Sequence, residues 1–315
     1  MVEQVKVSRK IPRADMVAAF GDTLEFDKPL APLTSYRTGG PARFFIAVSS
    51  SEQLVGTVKQ ARELKIPFFI IGGGSNLLVS DSGYDGLIIK VAIMSMAVSD
   101  ESRVECGAGE DLMALVDFAT TNALTGVEFA AGIWGTVGGA IYGNAGAYGG
   151  EMKDVVYSLE LVDSAGKVKV VGPDYCRFGY RDSNLKATRE IVTTAVFQLK
   201  RGDKVRIEDK VNEILAMRRE RHPTQGHSAG CFFKNIPDPD EEFGKLPAGR
   251  LLDQVGAKGL SVGGAAVFEK HANIIVNRGG ATSKDIRKLA DTMKKRVLDE
   301  FGITLEEEVI QLGEF

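Results

Sequence analysis

Three short segments hold the side chains best able to do chemistry. In "HSAGCFFKN" (His227–Asn235) a cysteine, Cys231, stands between a small-residue turn and two aromatics, a lysine and an asparagine. A thiol there can be a nucleophile, a metal ligand, a proton donor or a small buried hydrophobe. In "GYRDSNLK" (Gly179–Lys186) Arg181 offers a planar guanidinium that can hold a carboxylate through two hydrogen bonds, or simply pair with Asp182. In "LEEEV" (Leu305–Val309) three glutamates in a row read as a solvated edge, unless strand alternation turns Glu306 and Glu308 to one face and Glu307 to the other. A nucleophilic cysteine would need a base, and neither His222 at a helix end nor His227 in a polar loop is marked as its partner.

Two glycine segments suggest a bound ligand. "IIGGGSNLL" (Ile70–Leu78) runs a strand into Gly72, Gly73 and Gly74, whose backbone amides can either cradle a pyrophosphate or make a tight turn. It is neither a Rossmann fingerprint, since Leu77 stands where the last glycine belongs, nor a P-loop, since no Gly-Lys pair is followed by Ser or Thr. "GIWGTVGGAIYGNAGAYGG" carries eight glycines, more than a purely structural loop needs, interrupted by Thr136, Asn144 and Tyr148. That pattern suits backbone laid against a large flat ligand, and two such surfaces fit a long cofactor such as a dinucleotide.

Composition narrows the classes. A chain of 315 residues with 44% hydrophobic content can bury cores for two or three domains. A net charge of -3 argues against a broad nucleic-acid surface. Three cysteines without a C-x-x-C pair argue against a disulfide scaffold and a cysteine zinc site, so no metal is expected. The N-terminal stretch lacks an apolar signal region and no apolar run is long enough to span a bilayer, so a cytoplasmic location is expected, with no membrane or obligate protein partner.

The elements that must position these residues follow an α/β pattern. "ARFFIAV", "IPFFII" and "GLIIKV" are predicted strands, and Ser50 with Gln53 is predicted to cap a helix carrying Leu54, Val58, Ala61 and Leu64 on one face. "EDLMALVDFATTNAL" is a second helix, "SLELVDSAGKVKVV" a hairpin and "EIVTTAVFQL" a strand. "RIEDKVNEILAMRRERHP" reads as a linker helix stopped by Pro223. "GGAAVF" and "NIIVN" are later strands, and a helix over Ser283–Phe301 ends at Gly302. The boundaries expected are 1–93 for a first lobe with a leader over 1–30, 94–203 for a second and 204–315 for a third, whose last strand carries Glu308.

Taken in order, "GGGSNLL", "GTVGGAIYGNAGAYGGE", "CRFGYRDSNLK", "AGCFFKN" and "LEEEV" resemble the motifs of the UDP-N-acetylenolpyruvoylglucosamine reductases, flavoenzymes of peptidoglycan precursor synthesis, from about Leu33 to Leu312. The resemblance implies an α+β chain: a two-subdomain FAD-binding fold of the para-cresol methylhydroxylase type plus a C-terminal α/β substrate-binding domain. It implies that NADPH reduces FAD, that hydride passes to C3 of an enolpyruvyl ether on a UDP-sugar, and that a proton at C2 completes the product. Arg181, Cys231 and Glu308 match the catalytic positions, Cys231 standing where many members carry the proton-donating serine. By the same resemblance Gly72, Gly73, Gly74, Ser75, Asn76, Gly135, Thr136, Gly138, Gly139, Gly146 and Arg218 would hold FAD. Tyr148, Tyr180, Arg221, Lys234 and Asn235 would line the substrate site. Arg221 and Arg218 also read as ordinary charges at a helix C-terminus. The short span between Lys186 and Ala229 leaves no room for the extra segment some members insert, so the resemblance is to the shorter type. Trp134 stands where proline is common. A related flavin oxidase acting on an alcohol or lactone is the alternative reading.

Overall fold

The structure is a computed structural model that describes residues 13–223, 227–241 and 244–315; residues 1–12, the front of the leader, lie outside the described residues. Contacts divide the chain into two compact units. The first comprises 13–28, Ala42–Gly73 and Asp85–Met217, and the second Pro29–Pro41, Gly74–Tyr84 and Arg218–Phe315.

In the first unit a four-stranded sheet has the order β1 (Glu25–Pro29), β2 (Pro41–Val48), β5 (Tyr84–Val91), β3 (Phe68–Ile71). Strand β3, reached from β2 through a helix, runs parallel to β5, Phe68 opposite Leu87 and Ile71 opposite Lys90. That helix, α2 (Ser51–Glu63), follows a short α1 (Arg13–Phe20) and buries Leu54, Val58 and Ala61 in one core with Phe44, Ile46, Leu87 and Ile89. The Ser50 hydroxyl accepts from the Gln53 amide at 3.2 Å, but Gln53 Oε1 reaches back to the Ser49 amide at 2.8 Å, so the reciprocal half of the expected capping box is displaced by one residue.

A second sheet of the same unit is antiparallel throughout, in the order β9 (Val168–Val171), β8 (Val156–Val162), β10 (Ile191–Gln198), β7 (Arg103–Gly107), β6 (Met96–Val98). Helix α3 (Leu112–Thr121) buries Leu112, Leu115, Val116 and Ala119 in the same core, and the Asp111 carboxylate caps it by accepting from Met113 N at 2.8 Å. The short α4 (Val137–Tyr142) buries Val137, Ala140 and Ile141, and α5 (Lys204–Arg221) carries the chain across the unit boundary at Met217.

The second unit packs α6 (Ala248–Gln254) and α7 (Ser283–Phe301) on a sheet of β11 (Ser261–Val262), β12 (Ala265–Phe268) and β13 (His271–Asn277). The apolar stripe of α7, Ile286, Leu289, Met293 and Val297, is buried as its spacing predicts. Thr282 and Asp285 form its capping box, Asp81 accepts from the Ser283 and Lys284 amides at 2.8 and 3.0 Å, and Gly302 ends it at φ +69. The last strand, β14 (Ile310–Leu312), pairs in parallel with β4 (Leu77–Val79).

Two histidines of this unit lie together, with His222 and His271 ring centroids 5.8 Å apart. Burial, then the charges of Arg218, His271 and Arg221, push His222 down to about 4, and burial with Lys258 lowers His271. Both therefore take a proton less readily in the folded protein than in the unfolded chain, where histidine titrates near pH 6.5. Where the unfolded state binds more protons, acid destabilises the fold. Thermal unfolding of the protein should accordingly shift to lower temperature as pH falls from about 6.5 towards 4, and His222→Gln should flatten that dependence; a melting profile unchanged by the substitution would show that His222 is not the group responsible.

Candidate active site

The two glycine segments meet inside the first unit. A Cβ on Gly73 would lie 2.9 Å from Gly135 Cα, and one on Gly72 would strike Thr136 Oγ1. The strand end after β3 and the turn before α4 thus touch through backbone, a contact only residues without side chains allow. The glycine run after it serves two purposes. Gly138, Gly146 and Gly150 are tight packing positions, with a Cβ meeting Ala108, Glu151 and Phe129 at 2.8, 2.6 and 2.7 Å, while Gly139 and Gly149 leave open backbone. Two amides of this run are used within the fold, since Val137 and Gly138 donate at 2.9 Å to the carbonyls of Glu110 and Ala108. What remains is a bare backbone ledge around Gly72, Gly73, Gly135, Thr136 and Gly139 that fits a flat dinucleotide such as FAD.

Beside this run, buried Asn144 ties a turn to the Arg181 segment. Its Nδ2 donates to Glu151 at 2.6 Å and to the Gly179 carbonyl at 2.9 Å, and its Oδ1 accepts from Lys153 N at 3.0 Å. Arg181 is held from both ends: Nη2 donates to the Gly146 carbonyl at 2.8 Å, and Lys186 Nζ donates to the Arg181 carbonyl at 2.5 Å. Its guanidinium carbon is 5.3 Å from the Tyr180 ring centre. Arg181 and Tyr148 both adopt left-handed backbone, φ +53 and +50, which side-chain-bearing residues adopt rarely and which concentrates at functional sites. Tyr148 is exposed.

The second unit assembles the other group. Cys231 bridges Ile274 of β13, and Phe233 bridges Glu307, so the cysteine segment runs between β13 and the glutamate segment. Glu308 N donates to the Phe232 carbonyl and Lys234 N to the Glu306 carbonyl, each at 2.8 Å, which sets Cys231 and Glu308 on adjoining backbone tracks. Two of the glutamates take different partners: Glu306 binds Lys234 Nζ at 2.6 Å, whereas Glu307 faces Arg287 and Lys294 at 3.2 and 3.7 Å. Glu308 itself stands just before β14, and its carbonyl accepts from Asn76 Nδ2 at 3.1 Å. Asn76 therefore anchors the Glu308 backbone, a role its place in the glycine motif did not suggest. Asn235 Oδ1 accepts from Ala248 N at 3.2 Å and holds the start of α6.

Sequence reasoning missed three groups. Asn144 was only an interruption in a glycine run. Asn273, 1% exposed, clamps Phe233 by accepting from its amide at 3.0 Å and donating to its carbonyl at 2.8 Å; a lone Asn in an apolar strand was its one signal. Tyr36 is wholly buried near Ala229 and Cys231, and its hydroxyl has no well-formed hydrogen bond among the described residues. Burial, with a smaller contribution from Cys231, raises its pKa above the usual phenol range and keeps it neutral.

The expected site residues thus fall into two sets, each described within its own unit. Gly72, Gly73, Gly135, Thr136, Gly138, Gly139, Gly146, Tyr148, Tyr180 and Arg181 belong to the first, and Gly74, Ser75, Asn76, Arg218, Arg221, Cys231, Lys234, Asn235 and Glu308 to the second. If the Gly73 contact shapes the ledge, Gly73→Ala should leave a folded protein whose affinity for FAD is at least tenfold lower, about 1.4 kcal/mol, in a titration of the apoprotein; unchanged affinity would show that the ledge tolerates a methyl group.

Residues 42–172 match the FAD binding domain family, and residues 222–312 match the UDP-N-acetylenolpyruvoylglucosamine reductase C-terminal domain. The UDP-N-acetylenolpyruvoylglucosamine reductase of Caldanaerobacter subterraneus subsp. tengcongensis is 38% identical over 92% of this chain and 94% of its own length. That of Caldicellulosiruptor bescii is 40% identical over 92% and 90%. The crystal structure of the reductase from Thermus caldophilus superposes with a TM-score of 0.76 at 35% identity, covering 92% of this chain and 98% of the other. The glycine ledge, the Arg181 turn and the paired Cys231 and Glu308 tracks are therefore parts of an FAD-dependent oxidoreductase of peptidoglycan precursor synthesis, and the chain belongs to the UDP-N-acetylenolpyruvoylglucosamine reductase family.

Proposed function

We propose that this chain, working in the cytoplasm, uses NADPH to reduce the enolpyruvyl ether of UDP-N-acetylglucosamine-enolpyruvate to UDP-N-acetylmuramate, with Arg181, Cys231 and Glu308 acting on the reacting group. The observation that carries this reading is the pairing of the Cys231 and Glu308 segments through the 2.8 Å bond from Glu308 N to the Phe232 carbonyl, which sets a proton donor and a carboxyl on neighbouring tracks. When bound, FAD supplies the hydride that reaches C3, having taken it from NADPH.

The protein's own groups manage the charge and the proton. As C3 gains hydride, negative charge grows at C2 and spreads into the adjoining carboxylate. Arg181, whose guanidinium is oriented by the Gly146 carbonyl, offers two N–H groups to that carboxylate. Glu308 helps by sharing a carboxyl proton with the substrate, since a second full negative charge would oppose the first; a glutamine amide could donate a hydrogen bond but could not share that proton. Cys231 then delivers its thiol proton to C2, and the thiolate regains a proton from solvent before the next turnover. Thr136, Gly139 and the bare glycines hold FAD, and Tyr148, Tyr180, Lys234, Asn235 and Arg221 bind the UDP-sugar, with Arg221 opposite its diphosphate. Arg218 faces the flavin.

The purified protein should be yellow, its flavin band bleaching with NADPH and returning with the enolpyruvyl sugar; bleaching that only oxygen reverses would favour an oxidase. Arg181→Ala and Glu308→Gln should leave reduction by NADPH nearly intact and slow reoxidation by the sugar, because both residues act on charge that appears after hydride transfer. Equal losses in both half-reactions would mean damage to FAD binding instead.

Cys231→Ala should slow reoxidation by roughly 10²–10⁴-fold, the loss typical of a general acid, and Cys231→Ser should recover part of it. A thiol ionises well below an alcohol, so the cysteine enzyme should lose activity on the alkaline side as the thiolate forms, and the serine variant should keep activity to higher pH. Near-normal reoxidation in Cys231→Ala, or identical alkaline limbs, would assign the proton to another donor.

A further inference from the structure

Trp134, the one tryptophan of the chain, is 44% exposed in a segment where Val137 and Ile141 are both at 0% and Tyr148 is the other exposed large side chain. A single exposed apolar side chain on a protein surface needs no explanation. The position of this one does. It lies between Gly132 at φ +70 and Gly135 at φ +126; of the intervening pair, Ile133 packs against the core and Trp134 is the one left exposed. Gly135 is also the residue whose Cα lies 2.9 Å from a Cβ on Gly73, so Trp134 directly precedes the point where the two glycine segments touch. The turn is pinned from behind, Gly132 N donating to Met113 Sδ at 3.4 Å and Ile133 N to the Ala130 carbonyl at 3.0 Å. An exposed flat ring on a pinned turn beside open backbone is what a flat heteroaromatic ligand needs for one of its walls.

We infer that Trp134 stacks on a ring of the bound FAD and forms the aromatic wall of the glycine ledge. The inference rests on FAD binding alone and not on the sugar that is reduced. FAD offers two rings of this chemistry, the adenine and the isoalloxazine, and ADP and FMN carry one each.

The test uses FAD-free protein prepared from the holoenzyme and titrated calorimetrically with FAD, ADP and FMN. Trp134→Ala should weaken FAD by about 5- to 100-fold, the range of a lost base–aromatic stack, and Trp134→Phe should recover most of that loss. A loss shared by ADP assigns the stack to adenine, and one shared by FMN assigns it to the flavin. In the unmutated protein, the accessibility of the sole tryptophan to acrylamide should fall when FAD binds, a readout that needs no variant to fold and no substrate to turn over. Unchanged FAD affinity in Trp134→Ala, or a Trp134 equally open to acrylamide with and without FAD, would overturn the proposal, as would a loss in Trp134→Phe as large as in Trp134→Ala. A failure to reduce the enolpyruvyl sugar would count against the reaction and leave this inference standing.

Discussion

The backbone contact between Gly72–Gly73 and Gly135–Thr136 is the constraint on which the first unit's site depends. A strand end and the turn before α4 are brought close enough that a single methyl group would separate them. The contact fixes where β3 can deliver its glycines, and Thr136 begins α4 directly afterwards, its hydroxyl accepting from Gly139 N at 3.4 Å. Just beyond it, the amides of Val137 and Gly138 serve the fold, tied to the carbonyls of Glu110 and Ala108 on the loop before α3. A surface built this way recognises its ligand by shape and backbone more than by charge.

In the second unit the corresponding constraint is Asn273. A buried primary amide costs free energy unless its donors and acceptor are satisfied, and this one is satisfied by both backbone groups of Phe233. The result is a short segment locked between β13 and the glutamate run, with Cys231 at one end and Lys234 at the other. Glu306 and Glu307 take up Lys234, Arg287 and Lys294, and Asn76 fixes the Glu308 backbone. Neighbours in the triplet thus have distinct partners although the sequence writes them identically. Arg181 shows the same economy: a left-handed backbone, expensive for an arginine, is maintained because the Gly146 carbonyl and Lys186 hold it on both sides.

Much of the fold was legible because its signals are local. Period-3.6 stripes foretold α2, α3, α5 and α7, and Gly302 marked the end of α7 at the residue where the chain turns left-handed. Alternation and a polar turn foretold the β8–β9 hairpin, whose Asp163 carboxylate accepts from Ala165 and Lys167 amides at 2.7 and 2.9 Å. The capping of α2 slipped by a residue because Ser49 and Ser50 offer Gln53 two nearly equivalent amides, and the choice depends on how the preceding strand enters the helix.

By itself the sequence determined the element types, the chemical inventory of Arg181, Cys231 and Glu308, and, through the order of five motifs, the family. Each of these depends on residue identity and spacing along one stretch of chain. Only the tertiary structure decided which glycines open a ledge and which merely allow packing, since that difference lies in what a Cβ would meet from a distant segment. It also decided that Asn76 anchors Glu308, 232 positions away, and that Asn273 clamps Phe233 across 40. Polar side chains are short and their partners are chosen by three-dimensional proximity, so a sequence can state what an asparagine is able to bind while the fold alone states what it reaches.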